Sequence, residues 1–304
     1  MSYPSWLWIP IVFAAAAAQT VRNAAQKDLT KTAGTIAATS VRFIFGLPFA
    51  ILALIICLGF STAPLPSPSA NFLVWTTLGA VGQLAATALL LAGMQQRSFI
   101  VAVAYSKTEV LQVALFSLLL LGERVGTSSL SAIVIASLGV ILLSVKRPAS
   151  SQRFLGGWLS PTAWLGLASG AGFAISAVGY RGGALTLGPI SPWLAGAYTL
   201  VWAQIIQSVL IGGYLAWQQP EAIKKIQQEW RVSLTAGFTG ALASFGWFTA
   251  FAMHNAADVR TLALVEVLYG YLVSWKFLKE KISRKETIGI AFLIVGIIIV
   301  SARL

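Results

Sequence analysis

Glu109 and Glu266 are the residues of this sequence best suited to chemistry. Both lie well inside apolar stretches of the 304-residue chain, and each opens the same tripeptide, Glu-Val-Leu. A charged side chain in hydrocarbon costs at least about 2.5–3.5 kcal/mol, so each needs a partner, a cavity or a function. A carboxylate in that setting carries a coupling proton or holds a cationic part of a ligand. The alternative is a buried ion pair that fixes helix packing, with Arg42 or Lys107 as partner, the other two charges well inside apolar stretches. Lys107 is also placed to meet an anionic ligand group, and Arg42 to reach towards a membrane interface. On a helix, Tyr105, Glu109, Gln112 and Phe116 share one face, and Glu266, Tyr269 and Val273 share the corresponding face. A polar, aromatic seam lining a cavity is expected. Gln19 and Asn23, one turn apart, and Gln83 are candidates for a polar path, with interhelical hydrogen bonding as the plainer role. Trp202 and Trp247, deep in apolar stretches, are candidates to stack on an aromatic or cationic ligand or to pack tightly.

The elements that hold these residues come in two copies. Thr108–Glu123, TEVLQVALFSLLLLGE, returns 157 residues later as Val265–Glu280, VEVLYGYLVSWKFLKE, and the ungapped match continues to Ser144 and Ser301. Glu123 and Glu280 fall at the ends of their apolar stretches beside Arg124 and Lys281, which suits helix-end structure. Lys107 has no counterpart, because position 264 is Leu. The copies predict two repeats, 1–146 and 160–304, joined by a linker at 147–159.

Composition sets the environment. A content of 57% hydrophobic and 10% charged residues, with mean hydropathy +0.80, predicts an all-α polytopic membrane protein in the lipid bilayer. The formal charge of +12 forms no basic stripe, so nucleic acid is not an expected partner. Helices that cross a bilayer need about 20 mostly apolar residues. That ruler predicts ten transmembrane helices near 5–25, 34–60, 71–93, 99–121, 127–145, 160–182, 190–217, 231–253, 258–278 and 286–302. The first reads as a retained span rather than a cleaved signal, and Pro48 offers the second a place to kink. Most tryptophans, among them Trp6, Trp8, Trp75, Trp158, Trp164, Trp193, Trp217, Trp230 and Trp275, fall near span ends as an aromatic belt requires. The longest loop sets Ala222, Ile223, Ile226 and Trp230 opposite Lys224 and Lys225, which predicts a helix lying on the membrane surface.

Fifteen Lys and Arg residues flank the loops after spans one, three, five, seven and nine, against four on the other face. The positive-inside rule then places both termini outside the cytoplasm of a cell (inner) membrane. Five spans per copy is an odd number, so tandem copies sit in opposite orientations. That is the inverted-repeat plan of secondary transporters, with a substrate site near the midplane. No phosphate loop, nucleophile elbow or His-rich motif supports an enzyme or a cofactor. His254 near Asp258 is poor support for a metal site, and the single Cys57 offers no cluster. The expected function is alternating-access transport of a small-molecule substrate of the amino acid, amine, nucleoside or vitamin class, with a proton or exchange as driving force. The alternatives are an integral membrane enzyme and a non-transporting subunit or receptor. Monomer and homodimer both fit.

Leu-Gly-Glu-Arg at 121–124, followed by a span containing Gly139, together with Arg42 in the second span and the ten-span length, resembles the EamA-type repeat of the drug/metabolite transporter superfamily. The resemblance implies two inverted five-helix halves, with spans 1–4 and 6–9 around a cavity and spans 5 and 10 at the periphery. Its relatives move amino acids, nucleotide-linked metabolites, quaternary amines and drugs. Members usually carry Glu-Pro in the fourth and ninth spans. Here Val110 and Val267 follow the glutamates, so nothing obliges those helices to kink. Well-known members hold both termini in the cytoplasm, the reverse of the charge distribution here, so the direction of transport does not carry over.

Overall fold

The computed structural model describes residues 3–96, 105–144, 161–278 and 284–302. The 147–159 linker, Trp158, Glu280, Arg97, Lys146, Lys279, Lys281 and Arg303 lie outside them, as do the side chains of Lys27, Asp28, Lys31, Val273, Trp275, Lys276, Arg284 and Lys285. The described residues form helices joined by loops, with no strand among them. In chain order the helices are α1 (Trp8–Ala33), α2 (Thr35–Ile44), α3 (Leu47–Gly59), α4 (Ala70–Gln96), α5 (Glu109–Phe116), α6 (Thr127–Ser144), α7 (Pro161–Leu185), α8 (Pro192–Gln218), α9 (Pro220–Gln228), α10 (Trp230–Met253), α11 (Ala256–Leu262), α12 (Val265–Leu278) and α13 (Arg284–Ser301). Five segments, Thr35–Gly59, Ala70–Leu90, Ala163–Leu185, Pro192–Gln218 and Trp230–Met253, are long and apolar enough to cross a membrane. Glu109–Leu121, Thr127–Leu143 and Glu286–Ser301 are shorter apolar helices. The chain is an all-helical polytopic membrane protein.

Local chemistry sets the boundaries. Gly34, with φ +82°, takes the left-handed region that a side chain disfavours and lets α2 start directly after α1. The second span breaks at Phe45 and Gly46, with Pro48 in the first turn of α3, the place where a missing N–H costs least. Ser191 caps α8 by accepting from the Leu194 amide at 3.2 Å, and Asn255 caps α11 by accepting from the Asp258 amide at 2.8 Å. After α5 the chain forms a π-helical turn, Ser117–Leu121, which ends at Gly122 with φ +68°.

Two breaks that the missing prolines gave no reason to expect are present. Helical backbone turns at Lys107 and Thr108 before α5, and again at Ala263 and Leu264 between α11 and α12. Near each break a threonine hydroxyl bonds back to the chain: Thr108 Oγ1 to the Tyr105 carbonyl at 2.6 Å and Thr261 Oγ1 to the Ala257 carbonyl at 2.7 Å. Such bonds compete with the helical ladder and bend it.

The chain forms two compact units that do not coincide with the repeats. One holds residues 1–81 and 179–254, the other 82–178 and 255–304. In the first unit α1, α2, α3, α8 and α10 pack on one another. The α9 helix packs there too: Ala222 and Ile226 are buried with Leu29, Ala37, Val41 and Leu215. Ala222, Ile223 and Ile226 of its apolar face therefore meet protein, while Trp230, just beyond its end, is exposed. Trp8 also departs from the belt: it is buried and stacks on His254 with ring centroids 4.4 Å apart. Trp75 is half-buried, with its ring against Gly182, where an added Cβ would sit 2.6 Å from it. Trp6, Trp164, Trp217 and Trp230 are exposed, as a belt requires.

In the second unit α6 and α13 pack along their length through small residues. A Cβ added at Gly139 would lie 2.7 Å from the Gly289 carbonyl oxygen and 2.8 Å from the Leu293 amide. Those neighbours are backbone, so the helices must separate to admit it. Gly139→Ala is expected to lower stability by about 1–3 kcal/mol, measured by thermal unfolding of the purified protein, with Leu138→Ala, on an exposed face, as the near-neutral control.

Candidate functional site

The predicted site residues divide between the units. Gln83, Tyr105, Lys107, Glu109, Gln112, Glu266 and Tyr269 belong to the second; Gln19, Asn23, Arg42, Trp202 and Trp247 belong to the first.

In the second unit the helix breaks decide where the carboxylates stand. Glu109 is the first residue of α5, and Glu266 lies in the first turn of α12. Each occupies the amino end of a helix, where a negative charge is favoured, although several first-turn amides there donate to the preceding turn, Glu266 to the Ala263 carbonyl and Leu111 to that of Thr108. The repeat therefore has a structural use for both. Glu109 is in addition buried and paired with Arg260, with side-chain exposures of 6% and 20%. Its partner is thus Arg260 of α11 and not Arg42 or Lys107. Glu266 and Tyr269 are half-buried, as are Tyr105 and Lys107. Because the backbone turns at 107–108, Tyr105 does not share a continuous helical face with Glu109. Gln112 Nε2 donates to Thr108 Oγ1 at 2.9 Å and to the Leu167 carbonyl at 3.3 Å. Gly170 faces the same group, 3.0 Å from the Ser106 carbonyl by its added Cβ. Gln83 is half-buried on α4.

In the first unit Trp247 is buried, and its Nε1 donates to Gln19 Oε1 at 3.1 Å. Trp202 stands edge-on to Tyr198 with centroids 6.4 Å apart. Asn23 is exposed, and its Oδ1 accepts from Arg22 at 2.8 Å and 3.3 Å. The Arg42 guanidinium lies 4.3 Å from the centroid of the Phe43 ring, and its Nε and Nη2 are buried.

Several residues of this interior escaped the sequence reading. Arg22 and Arg260 read as loop charges but are drawn inside. Gln204 and Gln207 are almost fully buried on α8, and two amides in an apolar span were a usable signal. Gln207 Nε2 donates to the Tyr180 hydroxyl at 3.0 Å, and the Tyr180 ring lies 4.1 Å from that of Phe248. Arg181 Nη1 donates to the Phe251 and Ala252 carbonyls at 2.7 Å and 3.2 Å. That position, the carboxyl end of α10, is where a cation stabilises a helix.

The sequence model of the EamA-like transporter family matches residues 6–145 and again residues 160–302. The chain belongs to the EamA-like transporter family. Twenty-nine chains of solved structures match it. One crystal structure, covering 96% of this EamA-like chain and 95% of its own, superposes with a TM-score of 0.72 at 16% identity, a likeness of fold. Comparison with curated proteins gives no match. As an EamA-like protein the chain is a membrane transporter in class, and the two matched segments each contain one of the aligned glutamates.

Proposed function

We propose that the protein is a secondary active transporter of a small organic metabolite, working by alternating access in the cell (inner) membrane with both termini outside the cytoplasm. The observation that supports this most is the family match over both halves of a helical chain whose apolar segments suit a bilayer. A proton gradient or solute exchange drives the cycle. Ligand and ion act by preferring one state of the protein over another.

Within this reading the aligned carboxylates have unequal roles. Glu109 is neutralised by Arg260 and holds its unit together, whereas the half-buried Glu266 carries the coupling proton or a cationic part of the solute. Tyr105, Gln112, Tyr269, Trp202 and Trp247 serve as wall residues.

The test is a thermal-shift screen of the purified protein at two pH values with amino acids, amines, nucleosides and vitamins. One class is expected to stabilise the protein, with a weaker response in Glu266→Gln. Stabilisation by no compound, or by one indifferent to that substitution, counts against the assignment.

A further inference from the structure

The arginines that point inward, Arg22 buried and Arg42, Arg181 and Arg260 half-buried, differ in what they face. Arg260 meets a carboxylate, Arg181 meets two helix-end carbonyls, and Arg22, 6% exposed, donates to an asparagine oxygen. Arg42 is the exception. Its Nε and Nη2 are enclosed without a hydrogen-bond acceptor among the described residues. It sits on α2 within the apolar segment Thr35–Gly59, about 10 Å along the helix from Thr35. Arg42 as a residue is half-buried, but a guanidinium retains its charge, so enclosing its Nε and Nη2 donors without an acceptor is costly unless a counter-group arrives.

The surroundings concentrate positive charge and leave polar groups open. A Cβ added at Gly240 of α10 would lie 3.1 Å from Arg42 Cβ and 3.2 Å from Arg22 Cδ. The glycine thus lets both arginine stems occupy one place. On α8, Gln204 is 2% exposed, and its Oε1 also lacks a partner. Its Nε2 lies 3.0 Å from a Cβ added at Gly46, one turn beyond Arg42. The acidic residues of this unit stand elsewhere in the chain: Asp28 near the end of α1, Glu221 paired with Lys224 at 2.9 Å, and Glu229 exposed.

We infer that Arg42, with Arg22 beside it and Gln204 as a neighbouring amide, is a recognition site for an oxyanion, the carboxylate or phosphate group of the transported solute. This inference rests on the transporter reading and narrows it to solutes that carry such a group. A planar fork of N–H donors matches a carboxylate or phosphate in two parallel bonds. The Phe43 ring covers the guanidinium at 4.3 Å; of the Gln204 amide only the Nε2 group can donate to an oxyanion, while its buried Oε1 is an acceptor that suits a protonated or hydroxyl part of the solute.

The experiment titrates the full-length protein, in nanodiscs of zwitterionic lipid at constant ionic strength, with inorganic phosphate and with acetate against chloride. Thermal unfolding is the readout. Wild type is expected to be stabilised by at least one oxyanion beyond chloride. Arg42→Gln is expected to need about tenfold more oxyanion or to lose the response, with an anion-free midpoint no lower than that of wild type, because an uncompensated charge has been removed. Arg42→Lys keeps the charge but not the fork, and its response is expected to weaken as well. Wild type indifferent to both oxyanions, or either variant with the wild-type concentration dependence, overturns the inference. So does stabilisation by phosphatidylglycerol in the nanodisc without a response to the soluble oxyanions, which makes the site one for a lipid headgroup. Failure on any of these counts leaves solute flux, measured separately in vesicles, as the judge of the transporter reading.

Discussion

Replacing Arg260 with Ala is expected to cost about 3–5 kcal/mol of stability, the usual penalty for leaving one member of a buried ion pair alone. Glu109 is 6% exposed on its side chain, so water cannot take over the solvation of the orphaned carboxylate. The loss would appear as poor recovery from the membrane and a lower unfolding midpoint in detergent. The double variant Glu109→Gln with Arg260→Gln removes both charges together. It is expected to regain most of the loss, because two neutral amides replace a charge pair without leaving an ion buried. Recovery in the double variant marks the pair as structural. A double variant as unstable as the single one would mean that Arg260 stabilises the unit through other contacts.

Glu266→Gln is expected to act on coupling instead. Glu266 is half-buried in the first turn of α12, and its counterpart by repeat, Glu109, is buried and paired with Arg260. A carboxylate that stays paired with a guanidinium is a poor carrier of an exchanging proton or cation, and in the proposed mechanism that role falls to Glu266. The expected result is a loss of concentrative, gradient-driven uptake of about 5- to 150-fold, the range of typical coupling free energies. Exchange of solute against solute, which needs no net proton movement, is expected to survive. Equal loss of uptake and exchange would make Glu266 part of solute binding or of the fold, and an unchanged ratio of accumulation would remove it from the mechanism.

The helices were legible in the sequence because a bilayer imposes a length and an apolar composition on each crossing segment; of the ten stretches expected, five among the described residues are long and apolar enough to cross and three are shorter apolar helices. The break in the second span was legible too, because Pro48 lacks an amide hydrogen. The breaks before Glu109 and Glu266 were not, since the bond from Thr108 Oγ1 to the Tyr105 carbonyl leaves no punctuation as plain as proline. The repeat found the two glutamates but not the difference between them. Arg260 supplies that difference, and it lies outside the matched segment and far from Glu109 in the chain. The same limitation hid the Arg22 and Arg42 cluster. Its members approach through Gly240, and a glycine in an apolar span does not announce what it admits. The surface helix was read correctly as amphipathic, but amphipathicity does not distinguish a lipid surface from the apolar flanks of α1, α2 and α8.

Flux into sealed proteoliposomes of the purified protein is the most direct measurement of the central claim. Vesicles loaded with unlabelled solute from the class that stabilises the protein are given the same solute, radiolabelled, outside. Alternating access predicts saturable entry of label that exceeds equilibrium transiently under counterflow and is abolished when the outside solute is in large excess. Entry no faster than in protein-free vesicles, or entry that rises linearly without saturation, would contradict transport by alternating access.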